Sequence, residues 1–211
     1  MSGSDRRPIA ARGTRPAQAA AGWLIRLGAS ADGISIAGMI SGMAAGLCLA
    51  GVWLLPDAAR PLWLLAALFA QLRLAANLLD GMVAIGRGIA SPRGELFNEV
   101  PDRVSDTAIL VGLGLAAGGD WALGLGAALA AMATAYVRAV GRAAGAPSDF
   151  RGPMAKQHRM ALVTALALWC AMAPLDWIGT LPRWVLIAIT LLATLTALRR
   201  LAGAARALDA R

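Results

Sequence analysis

The stretch from Asn77 to Asp102, NLLDGMVAIGRGIASPRGELFNEVPD, puts carboxylates, glycines and arginines where the surrounding hydropathy predicts membrane. Ionisable groups in or beside transmembrane helices are costly, so by default they mark a functional site. The stretch joins the second and third of six apolar runs. These are roughly Ile34 to Leu55, Leu62 to Ala84, Leu96 to Ala117, Trp121 to Val140, Met160 to Leu175, and Trp184 to Leu198. Soluble domains do not string together repeated runs of about 20 apolar residues. A chain that is 58% hydrophobic and 15% charged is also too apolar for an ordinary soluble domain. The pattern predicts an all-α integral membrane bundle of six transmembrane helices.

Around that bundle, residues 1–30 form a leader and 206–211 a tail, with the membrane domain at 31–205. The leader is polar and rich in Arg, with no short apolar core before a cleavage site, so it is not read as a removed signal peptide. Up to about Ala20 it reads as disordered, and Gly22 to Leu27 as a short amphipathic helix in the interface. From Ser30, SADGISIAG reads as a helix N-cap. Sixteen of the 20 Lys and Arg fall in the leader, in the second-to-third connection, in the region from Arg138 to Arg159, or from Arg199 to the end of the sequence. The positive-inside rule then puts both termini in the cytoplasm. The expected location is the inner (plasma) membrane, multi-pass, with the active site facing the cytoplasm. Trp53, Trp63, Trp121, Trp177 and Trp184 near the opposite helix ends read as an aromatic belt.

The net charge of +8 is accounted for by this topology and by anionic headgroups, so nucleic acid is not an expected partner. Cys48 and Cys170 lie in apolar spans and read as small core residues.

At about 100° per residue, Arg73, Asn77, Asp80, Gly81 and Ala84 share one face of the second span. Asn98, Glu99, Asp102 and Asp106 share a face of the third. Pro101 suits a first helical turn, which places that helix start near Asn98. Two antiparallel helices with one narrow polar stripe each can bury those stripes together, bringing Asn77, Asp80, Asn98 and Asp102 together at one membrane surface. Arg73 and Asp106 lie at matching depth and could form a buried ion pair. Oxygen donors of this kind suit hard cations such as Mg²⁺, and the small residues leave room for close approach by a ligand or a neighbouring helix.

The spacing resembles the CDP-alcohol phosphatidyltransferase signature, D-x2-D-G-x2-A-R-x8-G-x3-D-x3-D, at every interval. Asp80, Gly81, Ala84, Gly94 and Asp102 match it; Asn77, Ile85 and Asn98 replace Asp, Arg and Asp. The resemblance implies transfer of a phosphatidyl group from CDP-diacylglycerol to a small alcohol acceptor, with release of CMP. It implies Mg²⁺ or Mn²⁺ held by Asp80, Asp102, Asn77 and Asn98, and Asp102 as general base. Gly81, Ala84 and Gly94 would lie against the cytidine nucleotide. A homodimer among membrane lipids is a family expectation. Asp32 and Ser35 stand at the Asn and Thr of the family's P-N-x-L-T lead-in.

The replacements remove two of the four negative charges that would balance two divalent ions. Arg87 could stand in for the missing motif Arg only if the helix ends near Ala84. TAYVRAVGR resembles the family's Y-x-R-A segment, in which Arg138 and Arg142 would clamp an acceptor phosphate; the alternative is arginines snorkelling at a helix end. Lys156 or Arg159 would be a further phosphate contact, and His158 reads as solvated. Two other readings stand beside the transferase. One is a catalytically silent member binding nucleotide-lipid or a protein partner; the other is an ion-coupled transporter.

Overall fold

A computed structural model describes residues 10–88 and 92–210, apart from the side chains of residues 10, 11, 92–95, 97, 98, 175 and 176. The described elements are helical. A 3₁₀ turn, Ala10–Gly13, precedes α1 (Arg15–Arg26), α2 (Ala31–Leu54) and α3 (Ala59–Gly86). Then come α4 (Pro92–Ala116), α5 (Trp121–Ala143), α6 (Lys156–Met172), the single turn α7 (Leu175–Ile178) and α8 (Leu181–Asp209). By length and composition, four helices can cross a membrane: α2, α3 with the turn before it, α5 and α8. The six expected runs all become helices. However, α4 is interrupted by charge and α6 has only 17 residues.

Several helix ends depart from the hydropathy reading. Helix α1 starts at Arg15, within the part of the leader read as disordered, because Pro16 suits a first turn and the alanines that follow are strong helix formers. Helix α4 starts at Pro92 instead of near Asn98, so Pro101 lies inside it. Helix α8 runs to Asp209, through the residues assigned to the tail. The N-cap is as expected: Ser30 Oγ accepts from the Gly33 N–H at 3.1 Å.

Small residues set the spacing of α2 against α4. A Cβ built on Gly42 would lie 2.5 Å from Ser105 Cβ, one on Gly46 2.4 Å from the Ala108 carbonyl oxygen, and one on Gly112 2.2 Å from the Gly46 carbonyl oxygen. Larger side chains at these positions would force the helices apart. The core that follows includes Leu49, Ile109, Leu110, Leu113, Met160, Leu186 and Ile189. Trp53, Trp121, Trp177 and Trp184 are exposed as an aromatic belt requires, whereas Trp63 is buried. Helix α3 starts at Ala59, which puts Trp63 within its second turn and facing the core.

The connection from α5 to α6 is pinned to α8. Arg200 Nε donates to the Arg151 carbonyl at 3.0 Å, and the Met154 N–H donates to Thr196 Oγ1 at 3.0 Å. Gly152 takes φ +136°, and a Cβ there would come within 2.3 Å of Thr196, so glycine is required twice over. In the same connection the Arg151 guanidinium bonds Asp149 and holds its carboxyl below the usual range. This anchoring delivers Lys156 to the head of α6.

Candidate functional site

The end of α3 and the start of α4 meet at one end of the bundle, with the head of α6 beside them. Two polar layers stack there. In the deeper one, Asp106 on α4 is 3% exposed and lies between two arginines that are each 1% exposed. Arg73 Nη2 donates to Asp106 Oδ1 at 2.6 Å, and Arg159 Nη2 donates to Oδ2 at 2.8 Å. Arg159 also donates from Nη1 to the Met154 carbonyl at 2.8 Å. The Arg73–Asp106 pair matches the equal-depth reading of the two stripes. The part played by Arg159 was not visible in them, because it comes from α6.

The shallower layer gathers Asn77 and Asp80 from α3, Asp102 from α4 and Ser35 from α2. Ser35, Asn77, Asp80, Asp102 and Arg73 line a cleft of about 10 Å³, room for roughly one water. Ser35 Oγ donates to Asp80 Oδ2 at 2.7 Å, so the lead-in serine orients the first motif carboxylate. Asn77 Nδ2 donates to Asp102 Oδ1 at 3.2 Å, and Arg73 Nη2 reaches the same oxygen at 3.3 Å. The Lys156 ammonium pairs with Asp102 Oδ2, and Arg103 Nη2 lies 3.8 Å from it.

These contacts bear on a metal. Among the described residues no group of three His, Cys, Asp or Glu side chains is placed to hold one. Both Asp102 oxygens face cations, Asp80 Oδ2 is held by Ser35, and Asn77 donates its amide N–H to Asp102. The described donors do not fit a two-ion centre. Asn98 and Gly94 lie on α4, but their surroundings fall outside the described residues.

The remaining expected contacts divide. Gly81 and Ala84 are on the cleft end of α3, half-buried, but Arg12 of the leader reaches over Gly81: a Cβ there would be 3.3 Å from Arg12 Nη2. Arg138 pairs with Glu99 and lies 4.9 Å over the Phe150 ring. That is a placement neither the acceptor clamp nor the snorkelling reading anticipated. Arg142, one turn on, is exposed, as is His158. Arg87 Nη2 donates to the Ile25 carbonyl at 3.3 Å, which fixes the leader instead of replacing the motif Arg. Lys156 was expected at a phosphate and is found on Asp102. Sequence spacing could not show this, because the two residues sit on helices far apart in the chain.

Solved structures share this fold. The phosphatidylinositol phosphate synthase of Mycobacterium tuberculosis with CDP-DAG bound superposes with a TM-score of 0.73 at 21% identity, covering 90% of this chain and 94% of that one. The same synthase in complex with manganese and citrate gives 0.71 at 21% identity, covering 88% of each chain. Its apo form gives 0.68 at 21% identity over 88% of this chain and 97% of that one. Neither a protein-family model nor a curated protein sequence matches the chain. The chain therefore resembles the CDP-alcohol phosphatidyltransferases in fold as well as in motif spacing.

Proposed function

We propose that this chain binds CDP-diacylglycerol at the α3–α4 end and transfers its phosphatidyl group to a small alcohol, releasing CMP, as a step of phospholipid biosynthesis. The observation that carries the reading is the shared cleft of Asp80 and Asp102. Two carboxylates of the motif, on different helices, face one polar space inside a bundle of the transferase fold. In the proposed arrangement α4 and α6 complete six spans, since Asp102, Asp106, Lys156 and Arg159 are turned inward and paired. The site faces the cytoplasm of a plasma (inner) membrane, and a homodimer is compatible with this arrangement.

The chemistry asks little of the protein beyond placement and charge. The acceptor oxygen bonds to the phosphorus that carries the diacylglycerol. The bond from that phosphorus to the oxygen bridging to CMP breaks, and CMP leaves with that oxygen. The hydroxyl proton passes to Asp102, which must first be released by Lys156. Cationic side chains stabilise the charge gathering on the phosphates. Arg138 and Arg142 would hold a phosphorylated acceptor, with Arg138 leaving Glu99 to do so. The cytidine would lie along Gly81, Ala84 and Gly94, with Arg12 of the leader displaced or turned onto the nucleotide. Asn98 would approach the same space, and Mg²⁺ or Mn²⁺ would enter only by competing with Lys156 for Asp102.

A second reading is a silent member that binds the nucleotide-lipid without turnover. The observation favouring it is that Asp102, the one candidate base, is fully paired. Purified protein given CDP-diacylglycerol and a panel of small alcohols, in Mg²⁺, Mn²⁺ or EDTA, separates the two. CMP release matched by a new phospholipid supports the transferase. Binding without CMP release supports the silent reading, and neither binding nor release removes both.

A further inference from the structure

The charge balance of the site runs against the metal chemistry that the motif implies. Four described carboxylates stand here: Asp80, Glu99, Asp102 and Asp106. Five cations touch them or their neighbours: Arg73, Arg103, Arg138, Lys156 and Arg159. The chain has also exchanged two motif carboxylates for Asn77 and Asn98. A site awaiting divalent ions would carry surplus negative charge; the described side chains of this one carry surplus positive charge. Some of that positive charge is also unspent. Arg73 Nε and Nη1 are buried without a hydrogen-bond partner, as is Arg159 Nε, and Lys156 Nζ has its ion pair with Asp102 but no well-formed hydrogen bond. Buried donors left in this state are costly, and Arg73 lines the cleft itself. An anion arriving there would meet the Arg73 donors.

We infer that Lys156, with Arg73, takes over in this chain the charge-neutralising work of a divalent ion, so that the diphosphate of a nucleotide-linked lipid binds directly to side chains without a bridging metal. The ammonium sits against Asp102, the carboxylate that the motif offers to a cation. Ligand entry exchanges one anion for another at Lys156: the ammonium leaves Asp102 for a phosphate oxygen, and the carboxylate is freed. The cleft holds about one water in its present form, so this exchange is also what opens it. The inference rests on the reading that the ligand is a CDP-linked lipid.

The test is CDP-diacylglycerol binding to the full chain in lipid nanodiscs, measured calorimetrically in EDTA and in Mn²⁺. The expected result is an affinity in EDTA within about threefold of that in Mn²⁺. Lys156→Met should weaken it by roughly 10- to 150-fold, the range for losing a charged hydrogen bond, and Lys156→Arg should keep most of it. Binding that requires Mn²⁺ overturns the inference and leaves the proposed function standing. No binding in either condition overturns the proposed function and the inference with it. The wild-type comparison decides even if Lys156→Met fails to fold.

Discussion

Asp106 and Asp102 stand one helical turn apart on α4, and both are buried against arginine, yet their surroundings assign them different work. Asp106 is closed: Arg73 takes one oxygen at 2.6 Å and Arg159 the other at 2.8 Å, and it does not line the cleft. Asp102 is shared: Arg73, Asn77 and Arg103 stand 3.2–3.8 Å from it, Lys156 pairs with it closely, and it lines the cleft. A buried ion pair with close geometry on both sides is a structural fastener. One held by several partners beside an opening can be exchanged. The same residue type thus serves as a rivet at one depth and as an addressable group one turn nearer the end of the bundle.

Substitution should split the pair along that line. The largest effect is expected from Asp102→Asn: a fall in CMP release of about 10²–10⁴-fold, as for loss of a general base, with a smaller loss of stability than at Asp106, since Asn77 and the cleft border it. A variant turning over near the wild-type rate would take Asp102 out of the chemistry. Asp106→Asn should do the reverse. It leaves Arg73 and Arg159 buried without their counter-charge, at a cost of about 3–5 kcal/mol of stability, to be read as early unfolding in detergent. A stable Asp106→Asn protein that had lost only activity would erase the distinction between the layers.

Smaller effects sharpen the comparison. Arg138→Ala should raise the KM of a phosphorylated acceptor by roughly 10- to 150-fold, the range for a lost hydrogen bond to a charged group. The KM for CDP-diacylglycerol should move far less. Equal changes in both would make Arg138 a partner of Glu99 and Phe150 alone. Ser35→Ala removes one hydrogen bond to Asp80, worth about 0.5–1.5 kcal/mol. It should weaken CDP-diacylglycerol binding by no more than about tenfold. A null result there would mean that Asp80 is oriented by the helix itself.

What could be read in the sequence follows helix geometry closely. Arg73, Asn77 and Asp80 share a face because of their spacing, as do Asp102 and Asp106, so the two stripes and the Arg73–Asp106 pair were legible. Partners contributed by a third helix were not. Lys156 and Arg159 meet Asp102 and Asp106 only because Gly152, Thr196 and Arg200 dock the α5–α6 connection onto α8. Pro101 also misled. Its preference for a first turn predicts a helix start near Asn98, but the helix starts at Pro92, a second proline equally suited to a first turn. Trp63 has the composition of a belt residue and the position of a core residue; which applies depends on where α3 begins. Hydropathy counted six runs correctly as helices. It could not grade α4 and α6, whose charges and length make them poor membrane spans outside their bundle.

The central claim, that the shallow layer is where a CDP-linked lipid sits, is tested most directly by photocrosslinking. A CDP-diacylglycerol analogue with a photoreactive group on the cytosine would be bound to the protein in nanodiscs, and the labelled peptides mapped. The account predicts labelling in the last turns of α3, around Gly81 and Ala84, and at the start of α4, competed away by unlabelled CDP-diacylglycerol. Competable labelling confined to the Trp121 and Trp184 end of the bundle, with none at α3 or α4, would contradict it.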